Sequence, residues 1–171
     1  MKKESFSIVV EKGDITRLQV DAIVNAANRS LLGGGGVDGA IHRAAGPELL
    51  SACRLLNGCE TGSAKLTEGF RLPAKLIIHT VGPVWQGGNS NESSLLRSCY
   101  IQSLTIAGIQ QCESIAFPAI STGVYGYPKQ LAAEIAIQTV QDWSNPFLQQ
   151  LTFCCFDNET VNIYKDILKN Y

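Results

Sequence analysis

The chain is expected to fold as an α/β sandwich around a mostly parallel sheet. Three observations predict this. Short β-branched runs alternate with segments in which apolar residues recur at helical spacing. No repeat, low-complexity tract or linker divides the 171 residues, so a single domain over 1–171 is expected, long enough to bury roughly two-thirds of its unfolded surface. The polar and glycine-bearing turns fall just after strands, where ligands bind in sheets of this kind.

Residues 6–10 (FSIVV) are rich in β-branched residues and predict the first strand. Gly13-Asp14-Ile15-Thr16 then turns the chain toward a second strand at 22–25. From Val37 the pattern is helical, with Val37, Ile41, Ala44 and Ala45 spaced for one face; Gly46-Pro47 interrupts it and a second helix resumes over 48–55. Residues 57–72 are rich in Gly, Ser and Thr and read as loop. Residues 75–81 (KLIIHTV) read as a strongly apolar strand, and His79 within it as a hydrogen-bonded core residue. Residues 82–92 form a loop with Trp85, a flexible flank for any pocket. Leu95, Leu96, Cys99, Ile101, Leu104, Ile106 and Ile109 give 94–111 the broad apolar face of a covering helix. A buried strand over 114–120 leads through STGVYGYP (121–128) into a helix over 129–143. A strand at 151–156 and the capping residues Asp157-Asn158-Glu159 precede a last helix marked by Val161, Ile163, Tyr164, Ile167 and Leu168.

The composition excludes several function classes. A formal net charge of −1 gives no electrostatic basis for binding nucleic acid or an anionic membrane, so any partner must be recognised by a pocket. No run of eighteen apolar residues appears, and Lys2 and Lys3 are followed by Glu4 and an apolar stretch too short for a secretory signal, so a cytoplasmic protein is expected. The six cysteines fall in or beside apolar patterns and read as free, mostly buried thiols. None is paired at C-x-x-C spacing and neither histidine lies at helical spacing from another good ligand, so no metal and no cofactor are expected.

The chemistry concentrates in NAANRSLLGGGGVDGAIH over 25–42. Glycines let backbone N–H groups approach a ligand, and a helix starting just after them adds its positive end, which together suit a diphosphate. The formula G-x-x-x-x-G-K-[ST] is absent, so no lysine is placed to grip a nucleoside triphosphate. Gly34, Gly36 and Gly39 also satisfy G-x-G-x-x-G with Glu60 beyond them, but residues 26–32 separate the glycines from the strand and 51–59 is no strand, so that match is treated as chance. Asp14 has two readings, an Asx-turn or a carboxylate that accepts from an exocyclic amine. Asp38 is either a helix cap or a carboxylate beside the phosphate cradle. In 121–125 the glycines make a turn, or the hydroxyls and N–H groups grip phosphate and sugar from the opposite side. Phe156 is core, or a ring on which a base stacks.

With these residues in place, the sequence closely resembles the macrodomain family, and within it the MacroD-type ADP-ribosyl hydrolase class. The resemblance covers nearly the whole chain through GDIT (13–16), NAAN (25–28), GGGGVDGAIH (33–42), HTVGP (79–83) and STGVYGYP (121–128). It implies a three-layer α/β/α sandwich with a mixed, mostly parallel central sheet. It further implies binding of ADP-ribose, release of mono-ADP-ribose from acidic side chains of proteins, and deacetylation of O-acetyl-ADP-ribose. Carried over by position, Asp14 would bind the adenine amine, Phe156 would stack on the base, Ile15 would also belong to the ligand site, and Gly33, Gly34, Gly35, Gly36 and Val37 with Ser121, Thr122, Gly123, Val124 and Tyr125 would enclose the diphosphate and distal ribose. Asn28 would orient that ribose and Asp38 would position a water for attack. His42, one helical turn after Asp38, has a direct or a structural role. The partners implied are ADP-ribosylated proteins or O-acetyl-ADP-ribose, with a monomer expected and nucleic acid relevant only as an ADP-ribosylated substrate. A non-catalytic ADP-ribose reader is the alternative; the polar pair Asn28 and Asp38 favours the enzyme.

Overall fold

The computed structural model describes residues 6–171. Its strands are β1 (Ser7–Lys12), β2 (Ala22–Ala26), β3 (Ala64–Glu68), β4 (Leu76–Thr80), β5 (Ser114–Phe117) and β6 (Gln150–Cys155). Its helices are α1 (Gly36–Ala45), α2 (Pro47–Leu56), α3 (Glu92–Ile109), α4 (Lys129–Gln141) and α5 (Asn158–Leu168), with one 3-10 turn at Ile15–Arg17. The strands form one sheet in the order β1-β6-β5-β2-β4-β3, parallel except for β3 against β4. The expected mixed, mostly parallel sheet is present.

Alternation along the strands sorts the core into two layers. Ile23 and Ile77 pack with Ile41, Ala45, Leu49 and Cys53 under α1 and α2. Ala22, Val24 and Ile78 turn to the other side and pack with Leu96, Leu104, Ile115, Ala136 and Tyr164 under α3, α4 and α5. Each fully buried Ile or Leu contributes roughly 1.5–3 kcal/mol. Helices on both faces make the three-layer sandwich. All six cysteines are free and buried, and among the described residues no helix is long and apolar enough to cross a membrane.

Three expectations are corrected. Residues 57–72 contain β3, an edge strand of mixed polarity (AKLTE) whose extended form is fixed by pairing with β4 rather than by its own composition. Ala44 is exposed, so the buried stripe of α1 is Ile41 and Ala45 with half-buried Val37. Ile109, at the end of α3, is 72% exposed. The N-terminal reading of Lys2, Lys3 and Glu4 lies outside the described residues.

Candidate functional site

The sheet order opens a crevice. The chain leaving β2 passes through α1 and α2 to β3 and β4, whereas the chain leaving β5 passes through α4 to β6 on the other side. Such divergence leaves a gap at the strands' carboxyl ends. At this point β2 and β5 are laddered only at Ala22↔Ile115 and Ile23↔Ala116, while β2 runs on to Ala26.

Asn28 ties the loop on the β2 side. Its Oδ1 accepts from Ser30 Oγ at 2.6 Å and from the Leu31 N–H at 3.2 Å, and its Nδ2 donates to the Gly33 carbonyl at 2.9 Å. Leu31 sits in the left-handed region at φ 62°, a strain of about 1–2 kcal/mol that its full burial offsets. At Gly34 the absence of a side chain gives close approach: a Cβ there would stand 3.2 Å from Asp38 Oδ2 and 3.3 Å from Asn28 Nδ2, and both side chains would have to shift. Backbone, carboxylate and amide converge on that point. No side chain caps α1, so the first-turn N–H groups following Gly35 remain for a ligand, at the positive end of the helix.

Asp38 is not the cap of α1; Gly35 holds that position. Asp38 is buried instead, its side chain 6% exposed, with Oδ1 accepting from Asn25 Nδ2 at 2.8 Å and standing 3.5 Å from His42 Nε2. Its Oδ2 takes no hydrogen bond among the described residues. His42 packs its ring beside Gly33, and its buried Nε2 completes no hydrogen bond.

Behind Asp38 lies a polar chain that sequence reasoning missed. Asn25 and His79 are register partners on β2 and β4. Asn25 Nδ2 also donates to His79 Nδ1 at 3.1 Å, and His79 Nε2 lies 2.8 Å from Thr67 Oγ1 on β3. Asn25 and His79 are fully buried. Burial pushes the His79 imidazole down to about 4, with His42 nearby adding to the effect, so His79 is neutral. The reading of His79 as a hydrogen-bonded core residue fits this environment. Its only sequence signal was a polar pair at equivalent strand ends.

Across the crevice, the loop after β5 is shaped by its own backbone. Thr122 donates from N and from Oγ1 to the Ala119 carbonyl, Gly126 N donates to Gly123 O, and Tyr127 N donates to Ser121 O. The N–H groups of Gly123, Val124 and Tyr125 take no part in these bonds. Ser121 is strained at φ 67° and buried, with an unpartnered Oγ packed against Gly82. Val124, at the tip, is fully exposed.

A clamp steadies this loop. Glu92 Oε2 accepts from the N–H groups of Gln86 and Gly88 at 2.9 and 2.8 Å, and Oε1 from Ser90 at 2.5 Å. Burial raises the Glu92 carboxyl, but these N–H donors together with its own outweigh it and hold it at about 2. The clamped segment carries Trp85, whose N–H donates to Tyr125 O at 2.8 Å and whose ring lies 4.7 Å from that of Tyr127. The flank expected to be flexible is pinned at both ends.

Two further residues stand at the adjoining strands. Asp14, after β1, makes the turn: Oδ1 accepts from Thr16 Oγ1 at 2.6 Å and Thr16 N at 3.0 Å, bonds that hold its carboxyl below the usual range. Among the described residues Oδ2 has Arg17 alone, at 3.6 Å, and half the side chain faces solvent. Ile15 is buried in the core under α1. Phe156, after β6, is 91% exposed, which rules out its reading as core. The carboxyl edge thus presents, in spatial order, Asp14, Phe156, the 121–125 loop and the Asn28–Asp38 cluster. The G-x-G-x-x-G rival finds no support: residues 47–56 are helix, and Glu60 lies outside any strand in an exposed ion pair with Arg29 at 3.2 Å.

A family model described as Macro domain matches residues 24–136, which include the end of β2, the first loop, α1 and the second loop. The chain belongs to the macrodomain family. Among its macrodomain relatives, the macro domain-containing protein CT2219 of Chlorobaculum tepidum is 60% identical over 92% of each chain. A protein named O-acetyl-ADP-ribose deacetylase from Citrobacter rodentium is 56% identical over 94% of each chain. A solved mutant of the Oceanobacillus iheyensis macrodomain with ADPR superposes with a TM-score of 0.92 at 42% identity, covering 99% of this macrodomain and 96% of that chain.

Proposed function

We propose that this macrodomain binds ADP-ribose and hydrolyses its esters, releasing mono-ADP-ribose from acidic side chains of proteins and acetate from O-acetyl-ADP-ribose. The observation that carries the reading is the convergence over Gly34 of Oδ2, the free carboxylate oxygen of Asp38, and the Asn28 amide, at the start of α1. Oδ2 has a lone pair to hold a water. Nδ2 of Asn28 has one hydrogen engaged by Gly33 and one left for a sugar hydroxyl. The relative named a deacetylase and the neighbour with ADPR support the same ligand.

The ligand's shape fits the edge. Three strand spacings separate Asp14 from the Asn28–Asp38 cluster, roughly 14 Å. A base stacked on Phe156 with its amine at Asp14, a diphosphate between the two loops and a ribose at Asp38 would span it. A carboxylate is a weak base at neutral pH, so Asp38 acts chiefly by placing the water; such positioning supplies roughly 7 kcal/mol or more. The water oxygen bonds to the ester carbonyl carbon or the anomeric carbon, the ester C–O bond breaks, and the leaving group takes a proton. Asn25 holds the carboxylate's other oxygen, Oδ1, with His42 3.5 Å beyond it.

The test is release of ADP-ribose from a protein modified on glutamate or aspartate, and of acetate from O-acetyl-ADP-ribose, by the wild type and by Asp38→Ala with a chelator present. Turnover by the wild type alone is expected, with ADP-ribose affinity of the variant within about tenfold, roughly 1.4 kcal/mol. Tight binding without any turnover by the wild type would make this a reader. Collapse of affinity in the variant would make Asp38 a structural residue.

A further inference from the structure

The chain of hydrogen bonds behind Asp38 is more ordered than a packed histidine requires. Asn25 spends both hydrogens of one nitrogen: Nδ2 donates to Asp38 Oδ1 at 2.8 Å and to His79 Nδ1 at 3.1 Å. Turned over, the amide would set its oxygen against a carboxylate oxygen, so Asp38 dictates its orientation. The cost is visible, because Asn25 Oδ1 is left buried with no partner among the described residues. An Nδ1 that accepts carries no hydrogen, so neutral His79 bears its proton on Nε2, and Nε2–H donates to Thr67 Oγ1 at 2.8 Å. Cys53 Sγ, 4.0 Å from the same nitrogen, is too distant to compete. Asp38 orients Asn25, Asn25 requires an Nδ1 that accepts and so sets the tautomer, and Thr67 Oγ1 takes up the resulting Nε2–H; the chain holds Asp38 Oδ1 and leaves Oδ2 toward Gly34.

We propose that Thr67 and His79 are positioning residues for the hydrolase reading above, fixing through Asn25 which oxygen of Asp38 faces the reacting water. Neither faces the ligand cleft directly; both lie in the strands behind the carboxylate, with Thr67 8% exposed. The inference rests on that reading for its kinetic consequence but not for its tautomer.

The decisive variants separate the two ring nitrogens. In His79→Asn an amide oxygen stands where Nδ1 accepts from Asn25, while the link to Thr67 is lost. In His79→Gln the amide reaches Thr67 and gives Asn25 nothing. Thr67→Val removes the acceptor of Nε2–H. With O-acetyl-ADP-ribose as substrate, kcat should fall on the order of tenfold in His79→Gln and Thr67→Val, the loss of one hydrogen bond, and be substantially rescued in His79→Asn. KM and ADP-ribose affinity should hold in all three. Wild-type kcat in both His79→Gln and Thr67→Val, or equal losses in His79→Asn and His79→Gln, would overturn the proposal. A second measurement needs no substrate and no variant: 15N NMR of the unliganded wild-type imidazoles should find His79 protonated on Nε2 alone, and a proton on Nδ1 sinks the chain outright. A wild type that turns over no O-acetyl-ADP-ribose while showing the Nε2–H tautomer sinks the hydrolase reading and supports the chain of bonds.

Discussion

Asp38 and Phe156 mark two extremes of side-chain environment in this molecule, one an acid almost wholly buried, the other an aromatic ring almost wholly in water. Both run against the usual disposition of their residue types. For Phe156 the consequence is measurable: replacing it by Ala should weaken ADP-ribose by about 1–3 kcal/mol, the worth of one base stacked on a ring, while leaving ribose phosphate binding nearly unchanged. Equal losses for both ligands, read by calorimetry, would remove the ring from the base subsite. Asn28 and Phe156 stand out in the sequence because each lies just after a strand, and Asp38 and His42 because they lie one turn apart on the helix that follows the glycines. The sequence did not make Asn25's second partner legible, because His79 lies 54 residues away and the two meet only through parallel register. Nor could it separate the cap from the buried carboxylate at Asp38, since both need an acid near a helix start.

The two loops that border the crevice are held differently. The first is tied by Asn28 and by buried Leu31; the second is tied through Trp85 to the segment that Glu92 clamps. Gly123 in the second loop offers a clean probe, because a Cβ there meets nothing within 4 Å and its backbone conformation is one any residue adopts. Gly123→Leu should therefore leave the melting temperature within a degree or so, the surface-substitution range. It should weaken ADP-ribose tenfold or more by filling the space over the diphosphate, about 1.4 kcal/mol. Unchanged affinity by calorimetry would place the ligand away from this loop. Among the elements, strands and helices with a strong apolar period were legible nearly to their ends. β3 was not, because a half-exposed edge strand flanked by Gly, Ser and Thr carries no period of its own and becomes a strand only against β4.

Across the whole molecule, fold class and the crowding of polar turns on one edge follow from the alternation of strand and helix. The position of each strand in the sheet does not, because order is set by which faces the helices can cover. One global property depends on the buried polar chain between β3, β4, β2 and α1. His79 binds its proton at about 4 when folded and near 6.5 when unfolded. Between those values the unfolded chain holds the extra proton, so stability is lost as pH falls from 6.5 toward 4 and the loss levels off below. The loss attributable to this residue is on the order of 3 kcal/mol. Denaturant unfolding of the wild type and His79→Asn across that window should give a stability difference that narrows as pH falls; a difference independent of pH would contradict it.

Trp85 sits against Tyr127 and is bonded to Tyr125, in the loop that borders the crevice. The protein's second indole, Trp143, lies past the far end of α4, some 20 Å of helix away. The molecule therefore carries its own optical reporter. Excitation of tryptophan reads the state of the crevice wall from one ring against a constant background from the other, so ligand entry registers as a change in emission without any attached dye.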